Sequence, residues 1–210
     1  MYAVPRVSEQ HLAARRRQIV DAARRCFLRE GFHRTTMQDV IAEAGLSVGA
    51  VYRYFPSKAD LIRAIAEEAV GGAEAVLGEL ARREPPVPLL EALDSALAYV
   101  DSQAGDDGLL RIAIQVWGEA QRDPALGEFV AGKYARVRGH FEILVRRAQR
   151  TGEVPADADP EAVAAALFAL VPGWFLQRIL TGGPDRETYL AGVRTLLSLS
   201  PPPPVPPTRG

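Results

Sequence analysis

Between Ser47 and Tyr54 the chain sets small, hydroxyl-bearing and cationic side chains close together: Ser47, Val48, Gly49, Ala50, Tyr52, Arg53 and Tyr54. That mixture suits contact with double-stranded DNA. A helix entering the major groove needs a slim tip, so that its backbone can approach base edges, and donors for the phosphates beside it. Ser47, Gly49 and Ala50 keep the tip slim. Val48 and Ala50 offer methyl groups to a thymine methyl. Arg53 carries the fork that either pairs with guanine O6 and N7 or binds a phosphate. Thr36 lies at the start of the preceding helix, where its hydroxyl and the backbone N–H groups can face the same strand.

Two short helices must hold these side chains. Thr36-Met37-Gln38-Asp39 has the form of a capping box, in which hydroxyl and carboxylate satisfy each other's backbone N–H groups. Val40, Ile41 and Ala44 give the first helix an apolar face. Gly45 tolerates the left-handed conformation that ends it, and Leu46 fills the angle. Ser47 caps a second helix, Val48 to Tyr54, which Pro56 stops. Two short helices set at a steep angle by a turn containing glycine form a helix-turn-helix, whose second helix reads the groove. Upstream, Ile19, Ala22, Ala23, Cys26 and Phe27 recur at helical spacing and predict a helix over about Glu9 to Glu30. Gly31 ends it and Phe32 packs back.

The stretches RRQIVDAARRCFLREGFHRTTM and DVIAEAGLSVGAVYRYFPSKADLI, together about Arg15 to Ile65, resemble the TetR family of bacterial transcriptional regulators. The aromatic-x-aromatic-Phe-Pro-Ser-Lys run after the second short helix makes this far more specific than a generic helix-turn-helix. The resemblance implies phosphate contacts for Tyr52, Tyr54 and Lys58. Lys58 falls in the first turn of a fourth helix, where its ammonium and the helix N-terminus favour the same anion. The resemblance also implies a homodimer on a palindromic operator and a ligand cavity among helices four to eight.

Downstream, helix signals predict a fourth helix from Ser57 to about Ala81, then helices over Leu89 to Ser102, Leu109 to Ala120, Asp123 to Arg150, Pro160 to Leu180, and a ninth to about Leu199. Gly105 to Gly108 reads as a turn. Aromatic and polar residues interrupt these apolar helices: Tyr99, Gln115, Trp117, His140, Phe141, Phe168, Trp174, Phe175 and Gln177. The expected cavity residues are Tyr99, Gln115, Trp117, Phe141, Phe168, Trp174 and Gln177, with Trp117 foremost. Few charges fall on inward faces, so an apolar or aromatic effector is expected. Pro172 predicts a kink in the eighth helix.

The fold class is therefore all-α: a three-helix DNA-binding head over residues 1–60, with residues 1–8 as a mobile arm, a helical effector-binding and dimerisation body over 61–200, and an extended Pro-rich tail over 201–210. Residues 1–60 hold ten Lys/Arg against six Asp/Glu, while the remainder holds fifteen against twenty. A basic head and an acidic body suit a protein that presents one end to phosphates. Arg15, Arg16 and Arg17, with Arg6 upstream, form either a solvated face or a further contact to phosphate or minor groove. The single cysteine, Cys26, fits a reducing cytosol and core packing. Residues 1–10 carry no apolar run of the kind a signal peptide needs. The uncharged stretch 162–177 is shorter than the roughly 20 residues of a bilayer span and reads as a helix buried inside an assembly. His11, His33 and His140 lack metal-ligand spacing, no nucleophile sits in an elbow motif, and neither an enzyme nor a cofactor is expected. The reading is a cytoplasmic, ligand-responsive homodimeric regulator, foremost a repressor. An activator of the same fold, or a small-molecule-binding or enzymatic bundle without DNA binding, are its alternatives.

Overall fold

Helix boundaries follow the capping residues. In the computed structural model, which describes residues 9–103 and 109–198, the Thr36 hydroxyl accepts from the Asp39 N–H, and the Asp39 carboxylate takes the Thr36 N–H at 2.8 Å and its hydroxyl at 2.7 Å. The side-chain oxygens of Ser47, Ser57, Asp123, Asp159 and Asp185 accept from backbone N–H groups in the first turns of later helices. Among the described residues nine helices follow in order: α1 (Glu9–Arg34), α2 (Met37–Ala44), α3 (Val48–Tyr54), α4 (Lys58–Arg82), α5 (Leu89–Ser102), α6 (Leu109–Ala120), α7 (Pro124–Thr151), α8 (Pro160–Thr181) and α9 (Arg186–Leu197). The arm with Arg6, the turn at Gly105 to Gly108 and the Pro-rich tail lie outside the described residues.

The first helix differs from its expected end. It continues past Glu30 to Arg34, but Gly31 breaks it at φ 78°, ψ 166°. That region of backbone space is open essentially to glycine alone. The break turns Phe32 back, so that its ring meets Phe27 edge-on at 4.6 Å between centroids.

Three apolar clusters hold the helices together. The first joins α1, α2 and α3 through Ile19, Phe27, Val40, Val51 and Phe55, and it does not stop at the head. It also takes Leu61 and Ile65 of α4, Ile112 and Val116 of α6, and Leu126 of α7. The second cluster sets the far half of α4 against α5, α7 and α8 through Leu77, Ala92, Phe141, Leu144 and Leu167. The third gathers Leu93, Leu97, Trp174, Phe175 and Val193 from α5, α8 and α9. Buried Arg147 of α7 closes the end of α4: its guanidinium donates to the Ala81 and Arg83 carbonyls and to Glu84. With 22 residues and a largely apolar composition, α8 is long enough to cross a membrane, longer than the uncharged stretch alone. It is helical throughout, with Pro172 inside it, and packs against α5 and α7.

Candidate functional site

The candidate DNA-binding face is built on a buried underside. Val51 and Phe55 are fully or nearly buried in the head cluster, and this anchors α3. The opposite face stands free: Ser47, Val48, Gly49, Tyr52 and Arg53 are exposed, with Val48 half accessible. Ala50 is half-buried, and its backbone N–H donates to the Ser47 hydroxyl at 3.3 Å. Tyr54 is half-buried against the head cluster. Thr36 is exposed, and its hydroxyl proton is already given to Asp39. The N–H and hydroxyl of Thr36 hold the Asp39 carboxyl below its usual range.

Lys58 is placed differently from a free phosphate donor. Its ammonium donates to the Phe32 carbonyl at 2.6 Å and the Thr35 carbonyl at 3.1 Å. Those carbonyls lie in the last turn of α1, past the Gly31 break, and in its connection to α2, so Lys58 ties the start of α4 to the entry of the helix-turn-helix. One of its three donors remains. In the basic run, Arg15 donates to Gln18 at 2.9 Å and Arg16 lies over the Phe55 ring at 5.2 Å, while Arg17 is exposed.

A cavity of about 110 Å³ opens among α4 to α8. Of the expected residues, Tyr99, Trp117, Phe141 and Phe168 line it, joined by Val70, Gln103, Tyr134, Val171, Pro172 and Phe175. No charged side chain is among its lining residues. The Trp117 indole N–H donates to the Tyr134 hydroxyl. Phe168 tilts against Tyr134 at 5.2 Å, and Phe175 meets Trp117 edge-on at 5.6 Å. Burial pushes the phenols of Tyr99 and Tyr134 up from their ordinary value, so both remain protonated hydrogen-bonding groups at neutral pH. Tyr134 and Gln103 escaped the sequence reading. The stripe Val130, Tyr134, Val137, Phe141 on α7 has the helical spacing that would have found Tyr134.

Three expected cavity residues lie elsewhere. Trp174 is buried between α5, α8 and α9, where its indole N–H donates to the Pro184 carbonyl at 3.1 Å under the Arg178 guanidinium. Gln177 is exposed, with its amide turned to the Gly173 carbonyl at 3.4 Å. Gln115 points from α6 into the head. Its carbonyl oxygen accepts from the Phe32 N–H at 3.1 Å and its amide donates to the Phe27 carbonyl at 3.3 Å. The two bonds straddle the Gly31 break. His33 adds to this junction, with its Nε2 2.7 Å from Arg122 and 3.4 Å from Glu119. One helix, α6, thus carries Trp117 in the cavity wall and Gln115 in the head.

A further face is apolar and uncovered. Ala162, Ala165, Ala166 and Ala169 of α8 are exposed in one stripe. Leu180 of α8 and Leu196 and Leu197 of α9 are exposed as well, at 73%, 64% and 66% accessibility. Small residues in a row let a second helix approach closely.

Comparison with known proteins supplies the relatives. Residues 19–65 match the family of bacterial regulatory proteins of the tetR type, and residues 89–199 match the C-terminal part of BetI-type transcriptional repressors. The chain is 30% identical over 197 residues to the HTH-type transcriptional repressor Rv1474c of Mycobacterium tuberculosis, covering 94% of this chain and 98% of that one. It is 28% identical over 197 residues to the HTH-type transcriptional repressor BepR of Brucella suis, covering 91% and 92%. Among solved structures, GusR of Salmonella enterica superposes with a TM-score of 0.75 at 26% identity, covering 92% of this chain and 97% of that one.

Proposed function

The chain belongs to the TetR family of bacterial regulatory proteins, and from that premise we propose a cytoplasmic homodimeric repressor that a small, largely apolar molecule releases from a palindromic operator. Residues 1–60 act as the DNA-binding unit and 61–200 as the effector-binding and dimerisation unit. Each protomer lays α3 in a major groove, with Ser47, Val48, Gly49, Ala50 and Arg53 toward base edges. Thr36, Tyr52 and Tyr54 contact phosphates, and Lys58 adds its remaining donor while fixing the angle of the head. Exposed stripes of α8 and α9 from two protomers pair in a four-helix bundle.

The observation that carries this reading is the double attachment of α6. An occupant of the cavity presses on Trp117, and the same helix holds the α1 break through Gln115. A shift of α6 therefore favours a different angle of the head, and the effector needs only to bind one packing better than the other.

The test uses labelled duplex DNA from the region upstream of this chain's own gene. The wild-type dimer should bind it. Val48→Glu places a carboxylate against the groove and should abolish binding, while its thermal midpoint stays within about 1 °C because the site is exposed. Equal binding by the variant would rule α3 out as the reading helix. Deletion of the gene should raise transcription of its neighbours. A fall would make the protein an activator.

A further inference from the structure

Gly71 and Gly72 stand together in the middle of α4, where glycine is a poor helix former. The two positions are not equivalent. A Cβ at Gly71 would meet nothing within 4 Å, whereas a Cβ at Gly72 would overlap the hydroxyl and ring of Tyr99 from α5. The missing side chain leaves a slot on α4 in which the phenol lies, with its hydroxyl directed at the Glu68 carbonyl at 3.4 Å. Tyr99 also lines the cavity, and its half-exposed ring makes it part of the rim.

Taking the cavity as the effector site of the proposed function, we propose that the Gly72 slot and the Tyr99 ring together set what the cavity admits, and that the effector is a compact uncharged molecule of about one aromatic ring. The cavity volume of about 110 Å³ is of the same order as the roughly 150 Å³ cavity that accepts benzene in an apolar protein interior, so it has room for one ring and not for two. Its lining offers ring faces from Trp117, Tyr134, Phe168 and Phe175, polar groups from Tyr99 and Gln103, and no charge to pair with an ion. The slot keeps the Tyr99 ring out of this space. On α5 the ring cannot retreat with its backbone, because neighbouring Ala96 and Leu97 are buried. A ring expelled from the slot moves into the cavity, since a turn toward water would expose its apolar faces.

The experiment uses 4-iodophenol, a one-ring probe uncharged at neutral pH. Its iodine quenches tryptophan emission on contact, so it reports occupancy beside Trp117, while Trp174 lies outside the cavity. Calorimetry on the full chain gives the affinity. Gly71→Ala should bind the probe like the wild type. Gly72→Ala should bind at least about tenfold more weakly, and Gly72→Ala combined with Tyr99→Ala should recover the loss. Wild-type strength or tighter binding in Gly72→Ala would overturn the proposal. So would failure of the second change to restore binding. If Gly72→Ala does not fold, Tyr99→Ala alone decides: it should take the two-ring 4-hydroxy-4'-iodobiphenyl more tightly than the wild type, and unchanged affinity refutes the slot. Absence of any quenching in the wild type would instead remove the cavity as effector site, and this inference with it.

Discussion

Lys58→Met separates two roles for the same ammonium. Methionine keeps most of the apolar stem and removes the charge. With the charge go the two hydrogen bonds to the Phe32 and Thr35 carbonyls. A fully buried hydrogen bond to a charged group contributes about 1.5–3 kcal/mol. Lys58 is only half-buried, so water replaces part of that, and about 1–2 kcal/mol in all is expected. For a chain of this size the thermal midpoint falls about 2–4 °C per kcal/mol, giving a drop of about 2–8 °C. Salt dependence reads the other role. If the ammonium mainly positions the head, the slope of log affinity for duplex DNA against log salt should change by much less than one per protomer. Removing a cation that fully neutralises a phosphate would flatten it by nearly one. Scanning calorimetry gives the midpoint, and fluorescence anisotropy with a random-sequence duplex gives the slope. An unchanged midpoint with the slope reduced by about one per protomer would refute the positional argument.

Two further perturbations bear on assembly and capping. Ala166→Arg adds a charge to an exposed position, so the protomer should keep its helical circular dichroism, yet sedimentation should show monomers because pairing would bury an unpaired cation; a persisting dimer would move the interface elsewhere. Leu170→Arg, by contrast, should unfold the body, since Leu170 packs against both of its clusters. For the capping box the sign runs with the carboxylate: Asp39 titrates below its ordinary 3.8 in the folded chain, so its contribution is present above that pH and is lost as pH falls through the lower folded value. The midpoint advantage of wild type over Asp39→Asn should hold from neutrality to about pH 4 and shrink below it. A gap that stays constant into stronger acid would exclude the carboxylate as its source.

What the sequence made legible was local. Thr36 reaches Asp39 three residues on, and Asp123 caps a helix that begins with Pro124, so each signal contains both partners. The helix-turn-helix could be placed for that reason. Lys58 and Gln115 show the opposite case. Lys58 meets carbonyls 23 and 26 residues upstream, and Gln115 meets backbone 83 and 88 residues away. A backbone partner leaves no trace in residue type, so a cation beside a DNA head reads as a phosphate ligand and an amide in an apolar helix reads as a pocket group.

The eighth helix shows a different loss, one that arithmetic could have recovered. At about 100° per residue, Phe168, Val171, Pro172 and Phe175 fall on one face, and that face lines the cavity. Gln177, nine positions beyond Phe168, comes out about 180° away and is exposed. Trp174 sits about 100° from Phe175 and turns to α5 and α9. The exposed alanines at 162, 165, 166 and 169 occupy the third side. A helix with one apolar stripe declares its neighbour, whereas one apolar on all sides has several. Composition alone therefore merged its aromatic residues into one site. Cavity, protomer core and proposed dimer seam each take a separate third of its surface, so an effector beside Phe168 and Phe175 presses on the helix that the partner protomer would share.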